Sequence, residues 1–142
     1  MTTLLNGLLG GLAVGVIAAG VVRFVADEPS AAADLLGRAV GGRGSSSPRT
    51  VFVAWFLYGG VAGVAFVALE LHVLRLLSVP PDFDVALGLA VAWSALLFVG
   101  VFLAWRGALS RRADRSYAAE LFAYHLVFGV GFAVWIRLTW IT

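Results

Sequence analysis

The chain has 142 residues, 61% hydrophobic and 13% charged, with a formal net charge of +2. Soluble domains carry about 25% charged residues, so the composition excludes an ordinary water-facing domain. No cysteine is present, which excludes disulfide frameworks, thiolate metal sites, iron–sulfur clusters and cysteine nucleophiles.

Four stretches are nearly free of charge. A helix rising about 1.5 Å per residue crosses about 30 Å of hydrocarbon in about 20 residues, and each stretch is long enough. The predicted spans are residues 4–26, 51–72, 84–105 and 117–141 of one domain covering 1–142. The expected fold class is all-α: an integral membrane bundle of four transmembrane helices.

The first span opens with NGLLGGLAVG, in which Gly7, Gly11 and Gly15 recur every fourth position and Ala19 continues the series. Positions four apart share a helix face, so these residues form a groove that admits a second backbone. The segment lacks a basic leader and is too long for the apolar core of a signal peptide, so it reads as a span. Loop 27–50 follows. Pro29 falls in an N1 position, and Leu35, Leu36, Ala39 and Val40 have helical spacing, predicting a short interfacial helix. GGRGSSSPR then reads as a flexible connection.

The second span repeats the small-residue device at Gly59 and Gly63, and ends in Glu70, His72 and Arg75. SVPPDFD forms a compact turn in which Asp82 or Asp84 is placed to cap the third span. Ser94 is the main polar residue midway along that span. Loop 106–116 leads to Glu120 at the start of the fourth span, then Tyr124, His125, Gly129 and, near the end, Arg137. Arg23, Arg137 and Glu120 are close enough to helix ends to reach polar surroundings.

Arginine supplies all ten basic side chains. Arg23, Arg38, Arg43, Arg49, Arg106, Arg111, Arg112 and Arg115 fall on the side of loops 27–50 and 106–116, and only Arg75 and Arg137 fall on the other. This bias places both loops in the cytoplasm and both termini outside a cell membrane. Trp55, Trp105 and Tyr117 then stand near the inner interface and Trp140 near the outer one. The positive charge lies in connections, and no nucleic-acid partner is expected.

GLAV occurs at 11–14 and 88–91, and WFLYG at 55–59 is matched by HLVFG at 125–129. The pairs read either as two tandem helical hairpins or as short coincidences among apolar residues.

Candidate chemistry is sparse. His125 is the one titratable side chain well within a span; it is expected to bond a neighbouring helix, at Ser94 or a backbone carbonyl, or to contact a solute together with Ser94 and Tyr124. His72 stands about 31 Å and His125 about 12 Å from the loop-bearing ends of their helices at 1.5 Å per residue, too unequal for one haem iron or a shared metal. Glu70 and His72 are about 200° apart around a continuing helix, a poor acid–base couple. No serine–base pair, phosphate loop or calcium loop is present in the sequence. The expectation is therefore no catalytic residue, no metal and no cofactor.

AWFLYGGVAGVAF (54–66) and ELFAYHLVFGVGFAVW (120–135) resemble stretches of small four-span membrane proteins of uncharacterised function common in halophilic archaea. In those proteins an aromatic-glycine motif preceded by histidine stands in the second and fourth spans, with a long first loop and a glycine-rich first span. The resemblance carries Tyr58 and Gly59, and His125, Phe128 and Gly129, onto that motif; Trp55 stands where the motif would have histidine. It implies the architecture and no activity.

The sequence thus predicts a non-enzymatic membrane protein whose partners are the lipid bilayer and either further copies or a larger membrane complex. Gly7, Gly11, Gly15, Gly59, Gly63 and Gly129 are its packing residues. The alternative is a small channel or transporter for a neutral or weakly polar solute.

Overall fold

The computed structural model describes residues 3–25, 30–39, 47–78, 83–106 and 111–140. They form five helices: α1 (Leu4–Val25), α2 (Ala31–Ala39), α3 (Pro48–Leu77), α4 (Phe83–Arg106) and α5 (Arg111–Trp140). All but α2 are long and apolar enough to cross a membrane.

Local chemistry sets the helix starts. Thr3 caps α1, its Oγ1 accepting the Asn6 N–H at 3.2 Å and its carbonyl the Gly7 N–H at 2.9 Å. Ser47 caps α3, accepting from the Thr50 N–H at 3.3 Å, with Pro48 in the first helical position where no donor is missed. Ser30 caps α2 through the Ala33 N–H at 3.1 Å, so Ala31 rather than Pro29 takes the first helical position; Pro29 lies outside the described residues. Asp84 falls in the first turn of α4, and Asp82 lies outside the described residues. Ser78 closes α3 in the left-handed region at φ 51°.

Two helices outrun their expected spans by more than one residue, and α4 by one at each end. Residues 111–116, expected as loop, form the first turns of α5, because a helix is not obliged to end where its apolar window does. α3 continues past 72 to Leu77, so Glu70 and His72 stay on one helix. Glu70 is buried and His72 exposed, which removes them as a couple.

Burial in α1 follows side-chain size. Gly7, Gly10, Gly11, Val14, Gly15, Ala18, Ala19 and Val22 face inward, while Leu5, Leu9, Ile17 and Phe24 are exposed. A soluble helix buries its large apolar residues; this one buries its small ones, as helices packed in an apolar solvent do.

α1 packs against both α3 and α5, and α4 packs chiefly against α5. Gly7, Gly11 and Gly15 meet Gly59 and Gly63 of antiparallel α3, where a Cβ on Gly7 would stand 2.6 Å from the Gly63 carbonyl oxygen. The adjoining face of α1 meets α5: Gly10 receives the Trp135 indole and Val14 fits over Gly131. α3 and α5 run parallel, and rings fill the space between them. Tyr124, Phe128, Phe132 and Ile136, one turn apart along α5, are all buried, and Phe66 of α3 meets Phe132 edge-on at 5.3 Å.

The two hairpins do not pack in the same register. Gly59 sits against Gly11 and Gly15, whereas Gly129, its counterpart in the matched motifs, sits against Ser94. Gly88, the counterpart of Gly11, has no atom within 4 Å of where its Cβ would be.

α2 lies in the first loop as expected, but its buried residues include Ala32, Ala33 and Gly37, with Leu36 half-buried; the side chains of Leu35 and Ala39 and all of Val40 lie outside the described residues. Ala32 and Ala33 pack with Val51 and Trp55. Trp55 and Tyr117, expected near the inner interface, are packed into the bundle at the loop-bearing end. Trp105 and Trp140 have side chains outside the described set.

Candidate functional site

Among the described residues, Tyr58, Ser94, Tyr124 and His125 come together at one level, where α3, α4 and α5 meet; buried Glu70 lies elsewhere, twelve positions beyond Tyr58 on α3. The His125 ring is buried, 3% exposed, and both nitrogens are matched. Nδ1 lies 2.8 Å from the Leu121 carbonyl one turn back along α5, and Nε2 lies 2.8 Å from Tyr58 Oη on α3. A carbonyl oxygen can only accept, so Nδ1 carries the hydrogen, and Tyr58 donates to the lone pair on Nε2.

Ser94 comes to the same place from α4, but its hydroxyl donates to the His125 backbone carbonyl rather than to the ring. Gly129 makes that approach feasible: a Cβ there would stand 2.9 Å from both Cβ and Oγ of Ser94. Trp93, next to Ser94, donates its indole N–H to the Ala62 carbonyl of α3 at 3.1 Å, giving α4 a second polar fastening.

Tyr124 touches the histidine only ring to ring, at 5.5 Å and 71°. Its hydroxyl donates to the Trp55 carbonyl at 2.8 Å, and its ring stacks on Trp55 at 4.3 Å. Trp55 also meets Tyr58 edge-on at 5.9 Å. Trp55, Tyr58, Tyr124 and His125 thus form one interlocked cluster.

Of the expected contact residues, Ser94, Tyr124 and His125 are neighbours, and Gly129 is the notch that seats Ser94. Sequence reasoning missed Tyr58 as the histidine's partner. It also missed Glu120, which is fully buried rather than turned towards polar surroundings at a helix end.

Between α4 and α5 a cleft of about 220 Å³ opens outward, lined by Ser94, Phe98, Phe122, His125, Gly129 and apolar neighbours. Its chemistry is that of a hydrocarbon surface with one hydroxyl and one imidazole edge. The polar hydrogens of Ser94, Tyr58 and His125 are directed at protein acceptors, so the cluster fastens α3, α4 and α5 to one another. Among the described residues no three His, Asp or Glu side chains come together in a way that could hold a metal ion.

No protein-family model, curated protein or solved structure matches the chain.

Proposed function

We propose that this chain is a multi-pass protein of the cell membrane, with loops 27–50 and 106–116 in the cytoplasm and both termini outside. It acts without chemistry of its own, through helix–helix association, as a homo-oligomer or as an accessory subunit of a larger membrane complex. The observation that carries this reading is the condition of α4. Only 17% of its apolar window is buried within the chain, against 39% to 44% for the other three long helices.

The packing glycines Gly7, Gly11 and Gly15 of α1 and Gly59 and Gly63 of α3 are filled by each other inside one chain. α4 instead leaves Gly88, Ala92, Gly100 and Ala104 exposed on one face, with the large side chain of Leu96 between the two pairs. Gly88 and Gly100 have no atom within 4 Å of a would-be Cβ. Glycine inside a helix costs about 1 kcal/mol relative to alanine, and among the described residues nothing packs into the space these two leave. A second helix would, because association in lipid depends on close backbone approach.

The test is native mass spectrometry on protein gently extracted from its own membrane. A fixed stoichiometry, with itself or with other chains, is the expected result; a monomer at every concentration sinks the proposal. The second reading, a channel or transporter for a neutral or weakly polar solute, is favoured by the placement of Ser94 and His125 on the α4–α5 cleft. It requires solute flux in reconstituted vesicles that falls on His125→Ala.

A further inference from the structure

Glu120 stands at the start of the α5 apolar window, is fully buried, and reaches a helix distant in sequence. Its Oε2 accepts the Ala32 N–H of α2 at 3.2 Å, a contact spanning 88 positions of the chain. Ser116, one turn earlier on α5, approaches Oε1 at 3.5 Å. The first N–H groups of a helix have no partner within it and carry its positive dipole end, so a carboxylate is a strong acceptor there. Ser30 Oγ takes the next donor, the Ala33 N–H. The start of α2 is thus held by one residue from its own chain neighbourhood and one from α5.

Among the described side chains, little else holds it. α2 has nine residues, shorter than a helix that persists alone in water. Among its described side chains, those fully buried are Ala32 and Ala33, with Gly37 adding only backbone. Burial of two methyl groups and part of Leu36 is a small apolar gain. What α2 covers is substantial: Ala32 and Ala33 lie with Val51 on Trp55, Trp55 stacks on Tyr124, and Tyr58 beside it donates to His125.

We propose that α2 is a detachable strap, fastened by Glu120, that closes the loop-side end of the bundle over Trp55 and the Tyr58–His125 pair. Fastened, it keeps water from that end; released, it opens a route along Trp55 to His125 while the four long helices stay packed. The strap is independent of whether the chain assembles through α4.

The chain has no native cysteine, so Val51→Cys places a single thiol beneath α2. Its modification by a water-soluble maleimide is expected to be slow, and at least tenfold faster after Glu120→Ala. Ala32→Pro removes the same hydrogen bond from the other side, in a helix first turn where proline is tolerated, and leaves Glu120 in place; it is expected to have the same effect. Ala62→Cys, in the long-helix core, is the control, and its rate should not change. An unchanged Val51→Cys rate in both variants overturns the proposal. So does equal acceleration at Ala62→Cys, which would mean the bundle had loosened. Closure is read separately by hydrogen exchange at the imidazole carbon of His125, with exposed His72 as internal reference. Exchange at His125 should rise several-fold when the strap is released, and an unchanged ratio to His72 overturns the route.

Discussion

The hydroxyl of Tyr124 occupies the space that a side chain on Gly59 would need: a Cβ there would stand 2.9 Å from Tyr124 Oη. A tyrosine of α5 therefore reaches the seam between α1 and α3, and its bond to the Trp55 carbonyl at 2.8 Å depends on a glycine four residues farther along α3. Gly59→Ala should cost about 1–3 kcal/mol by overpacking. Tyr124→Phe should relieve only part of this, because the same Cβ would also stand 2.5 Å from the Gly11 carbonyl oxygen, and backbone cannot step aside. Reversible unfolding in mixed micelles measures both; full rescue by Tyr124→Phe would show that the α1–α3 seam is looser than described.

The Tyr58–His125 bond makes a second prediction. Tyr58→Phe leaves Nε2 buried without a donor, which costs about 1–3 kcal/mol, and replacing both partners removes that orphaned atom; the coupling of an interhelical hydrogen bond in a membrane bundle averages about 0.6 kcal/mol. Tyr58→Phe with His125→Phe should therefore destabilise less than the sum of the single changes. A double-mutant cycle on unfolding free energies gives the coupling, and additivity would mean that the two side chains do not share a bond.

These two sites mark the border of what the sequence makes legible. Gly7, Gly11 and Gly15, and likewise Gly59 and Gly63, can be read as packing faces because a four-residue spacing survives on any helix, whatever its rotation, but that the two faces meet each other is a finding of the structure. His125 stands out because an ionisable group inside an apolar run needs a partner. Tyr58 could not be named as that partner: α3 is apolar nearly all round, so no polar stripe fixes its rotation, and the pairing spans 67 positions. The same gap explains Glu120. A carboxylate near a helix end reads as reaching outward until the helix that covers it is placed, and the acceptor it supplies meets a backbone N–H, which no side-chain pattern reveals. Ser94 was legible as polar and central, but not as a donor to a carbonyl, since that requires the notch at Gly129.

That notch gives a third prediction. Gly129→Ala drives a methyl group into Ser94 and should cost about 1–3 kcal/mol. Adding Ser94→Gly returns the space, so the swapped pair should recover most of the packing loss while still lacking the bond to the His125 carbonyl. Thermal denaturation of the three variants separates the two contributions. If the swapped pair is no more stable than Gly129→Ala alone, α4 and α5 do not meet at these residues.

Glycine substitutions should also divide by helix. Gly11 is pressed against Gly59 and Gly63, so Gly11→Leu should disrupt the chain itself, visible as lost thermal stability whatever the oligomeric state. Gly100 has open space around it, so Gly100→Ala should leave the isolated chain as stable or raise its stability by up to about 1 kcal/mol through helix propensity. The larger Gly100→Leu should leave the fold intact and weaken association through α4. The informative result is the opposed sign: a variant more stable as a monomer and poorer as a complex. Size-exclusion profiles together with unfolding curves for Gly11→Leu, Gly100→Ala and Gly100→Leu decide it. Association unchanged in Gly100→Leu would remove the Gly100–Ala104 stretch of α4 as the contact, because a leucine at 100 fills the space that the open glycine leaves.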